Sequence, residues 1–201
     1  MRYDPAACPI DPDLWRPDLP TPDNADLLRW YWAAAQQLRP DPVCVEIGVS
    51  YGRSLLWLAS RCLETGRAGA TLFGTDTWDQ YPPIPGGSGC VASRRAALGQ
   101  LHAHGLDTEL EMVRILNVPS SDAARLWPAR SVDLVLIDGD HSLRGVRADI
   151  EHYLPLIRPG GCLAGHDYGA SWPGVVSAVD ELLGRRARHY ERVWWVEYPA
   201  A

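Results

Sequence analysis

Hydrophobic positions along this chain change period repeatedly, and each change marks a switch between strand and helix. Val43-Cys44-Val45-Glu46-Ile47 is a short, nearly continuous apolar run, the pattern of a strand buried on both faces. Similar runs recur at 71–75, near 110–115, at 132–137, at Cys162-Leu163-Ala164 and at Val193-Trp194-Trp195-Val196. Between them the apolar spacing becomes helical. Leu28, Trp32, Ala35 and Leu38 follow a cap at Asn24 and stop at Pro40 and Pro42. Leu55, Leu56, Leu58 and Leu63 mark a second helix, 93–104 a third and 121–127 a short fourth. Leu143, Val146, Ile150 and Leu154 share the face of a fifth, and Val175, Val179 and Leu182 that of a sixth. Strands alternating with helices predict an α/β fold, a doubly wound and mostly parallel sheet of six or seven strands with helices on both faces.

Two segments break the pattern. Residues 1–22 are rich in Pro and Asp around an isolated Trp15, a composition that builds no core but can lie across one. Residues 78–93 hold Pro82, Pro83, Pro85, Gly86, Gly87 and Gly89, a connection too long for an ordinary strand-to-helix loop and typical of lids or disordered segments. The expected organisation is an arm and helix at 1–42, forming part of a lid, and a ligand-binding body at 43–201, within one domain overall. A chain of 201 residues with 46% hydrophobic composition suffices for one core and is short for two.

Charge and composition narrow the chemistry. The formal net charge of −6 offers no general attraction to nucleic acid or an anionic membrane. Arg185, Arg186 and Arg188 read as a solvated helix end. All 19 basic residues are arginine, which removes Schiff-base lysines, lysine bases and phosphate-loop lysines. Cys8, Cys44, Cys62, Cys90 and Cys162 are odd in number, fit no paired metal spacing and read as reduced thiols, mostly in the core. With no signal-like N-terminus and no apolar run long enough to span a bilayer, the expectation is a soluble, cytoplasmic protein without membrane or nucleic-acid partners.

In an open parallel sheet, ligands bind beyond the carboxyl ends of the strands, and those ends here hold Glu46, Asp76, Asp138, Asp140, His166 and Asp167. Glu46-x-Gly48-x-x-x-Gly52 lets backbone approach a ligand closely, but it is not the Gly-x-Gly-x-x-Gly turn of dinucleotide folds. Asp76, ending the second strand, can accept both hydroxyls of an adenosine ribose, a geometry that serves a nicotinamide dinucleotide or S-adenosylmethionine (SAM) alike.

Taken with Leu136-Ile137-Asp138-Gly139-Asp140-His141-Ser142, Arg158-Pro159-Gly160-Gly161 and Gly165-His166-Asp167-Tyr168, these motifs resemble the class I SAM-dependent methyltransferases. The likeness is greatest to the bacterial small-molecule branch related to cephalosporin-hydroxylase-like and macrolide-sugar O-methyltransferases. It runs from about Val43 to the C-terminus. The resemblance implies a last strand that is antiparallel and inserted between the fifth and sixth, the sixth being shortened or lost for want of room between Gly184 and Tyr198. It also implies SAM as cofactor, with Glu46 and Gly48 at its methionine end, Asp76 at its ribose and Asn117 and Ser121 near its adenine. Ser50, Tyr51, Gly52, Ser54, Thr77, Trp78 and Asp138 complete the implied cofactor site.

Methyl transfer asks chiefly for alignment, because the sulfonium is already electrophilic, yet a hydroxyl acceptor must still lose its proton. A histidine can take it, and a divalent cation can ease its departure. Asp138, Asp167 and His166 offer ligands suited to Mg²⁺. In the related catechol-type enzymes a lysine base occupies the position matching His141, so His141 is the first candidate for general base, with Asp138 and His166 as further catalytic candidates. The plainer alternative has His141 capping the next helix while Asp138 and Asp140 hold the turn. Trp15, Trp78 and Trp172 could wall an acceptor pocket, whereas Trp30, Trp32, Trp57 and Trp127 read as packing. Trp194-Trp195 could cover the edge of a homo-oligomer. Two rival functions stand beside O-methylation of a small molecule in specialised metabolism: a nicotinamide-dependent oxidoreductase, which lacks here its compact glycine turn and acid-base pair, and a catalytically silent SAM-fold binding protein.

Overall fold

Val43–Ile47, β1, lies near the middle of a seven-stranded sheet because both of its faces need cover: Cys44 packs into one hydrophobic cluster and Val45 and Ile47 into another. The structure, a computed structural model, describes residues 4–8, 24–78, 90–104 and 112–199. Most of the expected arm at 1–22 and most of the 78–93 connection therefore lie outside the described residues. Thr71–Thr75 (β2), Val113–Leu116 (β3), Val132–Ile137 (β4), Ile157–Gly165 (β5), Arg188–Tyr190 (β6) and Val193–Glu197 (β7) join β1 in the order β3-β2-β1-β4-β5-β7-β6. β1 to β5 are parallel, and β7 runs antiparallel between β5 and β6. The sixth strand survives as three residues.

Successive strand residues face opposite sides, so the sheet separates two cores. Leu134 and Leu136 of β4 face the cluster that holds Ala25–Ala35 (α1), Arg53–Glu64 (α2) and Cys90–Ala103 (α3). Val135 and Ile137 face the cluster under Leu143–Tyr153 (α5) and Pro173–Leu182 (α6). Ser120–Ala123 (α4) is a single turn beyond β3. α1 is core as much as cover, since Leu27, Leu28, Trp30 and Tyr31 are wholly buried. Among the described residues no helix is long and apolar enough to cross a membrane.

Three local expectations change. Arg158-Pro159-Gly160-Gly161 is not a turn ahead of the fifth strand but an irregularity inside it, where pairing to β4 jumps from Val132↔Ile157 to Leu134↔Cys162 and Gly160 takes φ +77°. The detour has a cause. Asp133 is buried on β4, receives the Val43 N–H at 2.8 Å, and pairs with Arg39 at 2.9 Å and with Arg158. Trp194 and Trp195 are buried in the two cores of their own chain. Trp78 is turned into the α2 side core, with its Nε1–H donating to the Ser50 carbonyl at 3.0 Å.

Candidate active site

The sheet order reverses between β1 and β4, and the carboxyl ends of the strands around this point frame the site. Backbone hydrogen bonds carry the ladder one residue past each strand, Gly48 N–H to Thr75 O, Asp138 N–H to Ile47 O and His166 N–H to Ile137 O. Gly48, Asp138 and His166 thus stand side by side. Gly48 has φ +86°, and a Cβ there would fall 2.1 Å from the Asp138 carbonyl oxygen, so only glycine lets the two strand ends touch. Among the described residues, five non-glycine residues have positive φ, and Ser50, Trp78 and Asp167 sit just past β1, β2 and β5. Such conformations cost about 1 kcal/mol or more each, and they gather where backbone is bent to serve a site.

A cavity of about 980 Å³ opens there, bounded by Gly48, Asp76, Thr77, Ser121, His141 and Trp172. The Asp76 carboxylate is nearly buried and accepts the backbone N–H groups of Ser50 and Trp78 at 2.9 and 2.8 Å, tying the turn after β1 to the turn after β2. Asn117, with its amide nitrogen toward the Asp76 and Thr77 carbonyls, donates to both at 3.1 and 3.2 Å. Its role in these contacts is to hold that turn. Gly52 caps α2 at φ +79°, and Tyr51 is half-buried beside it. Glu46 does not reach the cavity. It is buried and accepts hydrogen bonds from Tyr31 Oη at 2.6 Å and Ser54 Oγ at 2.8 Å. Burial, with the nearby Asp138 and Asp76 charges, raises its pKa to about 8 despite those two hydrogen bonds.

The turn after β4 divides its duties among neighbours. Ser142 caps α5 by accepting the Gly145 N–H at 3.0 Å, and Asp140 accepts the Ser142 N–H and Oγ–H at 2.9 and 3.0 Å. Capping and turn-holding are thus done by Ser142 and Asp140, which leaves Asp138 and His141 for other work. His141 Nε2 lies 3.0 Å from Asp167 Oδ2 and 3.5 Å from Asp138 Oδ1, and it is buried without hydrogen-bond geometry to either. Its ring stacks on Trp172, centroids 4.4 Å apart. On the far side of the two carboxylates, His166 Nδ1 stands 3.7 Å from Asp138 Oδ1 and 3.5 Å from Asp167 Oδ1.

Burial alone would lower both histidine pKa values, but the carboxylates outweigh it and lift His141 to about 9 and His166 to about 10. Burial raises Asp138 in turn, and the two imidazoles more than offset it, leaving the carboxyl below its ordinary value. Asp138, His141 and Asp167 bring one donor atom each within 4.8 Å of one another. Two hard carboxylates lying between the imidazoles of His141 and His166 fit a divalent cation, with one imidazole as a further donor.

Several participants have no obvious sequence signal. Asp26 on α1 and Arg192 between β6 and β7 reach His166 and Asp167 from remote parts of the chain. Asp149 also borders the cavity, accepts Ser120 Oγ–H at 2.5 Å and is pushed up to about 6 by burial. Its signal was available, an acid on the apolar face of α5 between Val146, Ile150 and Tyr153.

A family model described as a methyltransferase domain matches residues 45–168. Among solved structures, a protein from Corynebacterium glutamicum superposes with a TM-score of 0.67 at 18% identity, over 91% of this chain and 84% of that one. CalS11, described as a calicheamicin methyltransferase, gives 0.65 at 17% identity over 96% and 88%. A SAM-dependent O-methyltransferase from Thermotoga maritima gives 0.59 at 14% identity over 94% and 69%. At such identities these three likenesses are of fold. A comparison with curated protein sequences finds no match. The domain match covers more than half of the chain and contains the glycine turn, Asp76, the Asp138–His141 turn and Asp167, and the protein therefore belongs to this methyltransferase family and is a SAM-dependent methyltransferase.

Proposed function

We propose that the enzyme methylates a hydroxyl group of a small-molecule acceptor, with the His141 imidazole taking the hydroxyl proton. The carrying observation is the pair Asp138 and Asp167 flanked by two imidazoles of unequal exposure. The His141 side chain is 18% exposed and lines the cavity, whereas that of His166 is 5% exposed and does not. An acceptor can reach His141. Once it holds the proton, its charge is balanced by both carboxylates, the physical reason its pKa is raised.

SAM supplies a methyl group on a positively charged sulfur, already primed for in-line attack. The chain's part is to bind and aim. Asp76 is suited to the ribose hydroxyls, Thr77 and Ser121 to the adenosine side, and the Gly48 turn to the methionine end. Glu46 acts on that end through the Tyr31 and Ser54 hydroxyls it holds and not by direct contact. A divalent cation such as Mg²⁺ would be held by Asp138 and Asp167 with an imidazole, and it would lower the pKa of an acceptor hydroxyl. Among the described residues no arginine borders the cavity. With the net charge of −6 this favours a small acceptor over nucleic acid. CalS11 is described as a TDP-rhamnose 3'-O-methyltransferase, which supports hydroxyl chemistry on this fold.

The test is product analysis. Incubating the enzyme with methyl-deuterated SAM and a panel of hydroxyl- and amine-bearing acceptors, read by mass spectrometry, should give a labelled methyl ether. Label found only on nitrogen would overturn the hydroxyl assignment, and SAM binding with no product from any acceptor would favour the silent reading.

A further inference from the structure

The residue that decides how His166 faces the site lies 140 positions away in sequence. Asp26 sits in the first turn of α1, and its side chain is 1% exposed. Its two oxygens face His166 Nε2 at 3.1 and 3.2 Å, and they accept from Arg192 Nη2 at 2.9 Å, Arg192 Nε at 3.1 Å and the Arg192 backbone N–H at 3.3 Å. The Arg192 guanidinium, paired with both oxygens, keeps this carboxylate ionised. An ionised carboxylate only accepts hydrogen bonds, so the Nε2 of His166 must carry a proton and donate it. The other ring nitrogen, Nδ1, is then fixed toward the gap between Asp138 and Asp167. Arg192 Nη1 reaches Asp167 Oδ1 at 3.4 Å, so the same clamp steadies that carboxylate.

We propose that Asp26 is a positioning residue of the active site: with Arg192 it locks the His166 ring so that Nδ1 completes the Asp138–Asp167 donor set. The arrangement makes α1 part of the reactive centre as well as of the core. An imidazole that binds an ion through one nitrogen needs the other held by a carboxylate, or its ring turns and its basicity drops. The proposal rests on the cation reading given above, and the experiment separates the two.

Metal-stripped wild type, Asp26→Ala, Asp26→Asn and Leu27→Ala are titrated with Mn²⁺, the free ion being followed by electron paramagnetic resonance. Leu27 is buried on the same helix and touches neither histidine nor carboxylate through a hydrogen bond, so it reports simple loosening of α1. S-adenosylhomocysteine affinity is measured on each protein as a check of the fold. Asp26→Ala should weaken Mn²⁺ by roughly 10-fold to 100-fold. Asp26→Asn, which keeps an acceptor for Nε2–H, should recover part of that loss, with Leu27→Ala and S-adenosylhomocysteine binding unchanged. Wild-type Mn²⁺ affinity in Asp26→Ala would overturn the proposal, as would an equal loss in Leu27→Ala. If the wild type itself takes up no Mn²⁺, the cation reading fails, and the proposal is then decided by the hydrogen-bonded Nε2–H proton of His166 in NMR spectra together with turnover. Loss of that resonance and a fall in kcat at unchanged KM for SAM in Asp26→Ala would sustain the positioning role. Retention of both would end it.

Discussion

Asp76 shows why a strand-end acid carries more than one duty. Its carboxylate already holds two backbone N–H groups, so the turn that shapes the cavity depends on it before any ligand arrives. Replacing it removes both the organising acceptor and the proposed partner of the ribose. Losing a charge-assisted hydrogen bond costs about 1.5–3 kcal/mol, so Asp76→Ala should weaken SAM binding by roughly tenfold or more in calorimetric titration. An unchanged affinity in folded protein would remove Asp76 from the cofactor site. Glu46 teaches the opposite lesson. By position it looked equivalent to Asp76, ending a neighbouring strand, but the pleat turns it toward Tyr31 and Ser54. A motif can state that an acid ends a strand, whereas the direction of its side chain depends on which face the residue occupies.

At the level of elements, the strands were legible because each is a short apolar run with a fixed period, and β1, β2 and β4 have the bounds their patterns predict. The helices over 53–64, 143–153 and 173–182 were legible for the same reason. The β5 irregularity was not. Pro159-Gly160-Gly161 carries the local signature of a turn, and only the long-range demand of buried Asp133 for Arg158 and Arg39 explains why the strand begins before it. That dependence is testable. Asp133→Ala strips the acceptor from Val43 N–H and from both arginines, a loss of about 2–3 kcal/mol since the arginines stay partly in water. For a chain of this size, Tm should fall by roughly 5–10 °C in a calorimetric scan, and by less in Asp133→Asn. An unshifted Tm would mean that the clamp contributes nothing net.

Over the whole molecule, the parallel sheet gathers chemistry from segments far apart in the chain and places it at one edge. The sequence motif supplied Asp138, His141, His166 and Asp167, because each lies within a residue or a few of a strand end. It could not supply Asp26 and Arg192, which enter only through the docking of α1 and the β6–β7 connection. Together they form a charge-balanced centre in which the carboxylates of Asp138 and Asp167, past the ends of β4 and β5, face two imidazoles, and a third carboxylate and a guanidinium stand behind. Its balance sets a pH dependence. Only neutral imidazole can accept a proton, so with His141 raised to about 9 the metal-free enzyme should gain rate as pH climbs toward that value. A cation on Asp138 and Asp167 withdraws their support for the imidazolium, so it should move the rise to lower pH. The decisive measurement is the rate of methyl transfer against pH, from about pH 6 to pH 10, for wild type and His141→Ala, each with Mg²⁺ and in chelator. The account predicts a rising wild-type limb that Mg²⁺ shifts downward, and a loss of roughly 10²–10⁴ in His141→Ala at unchanged SAM affinity. A His141→Ala enzyme that keeps the wild-type rate and the same limb at every pH would contradict it.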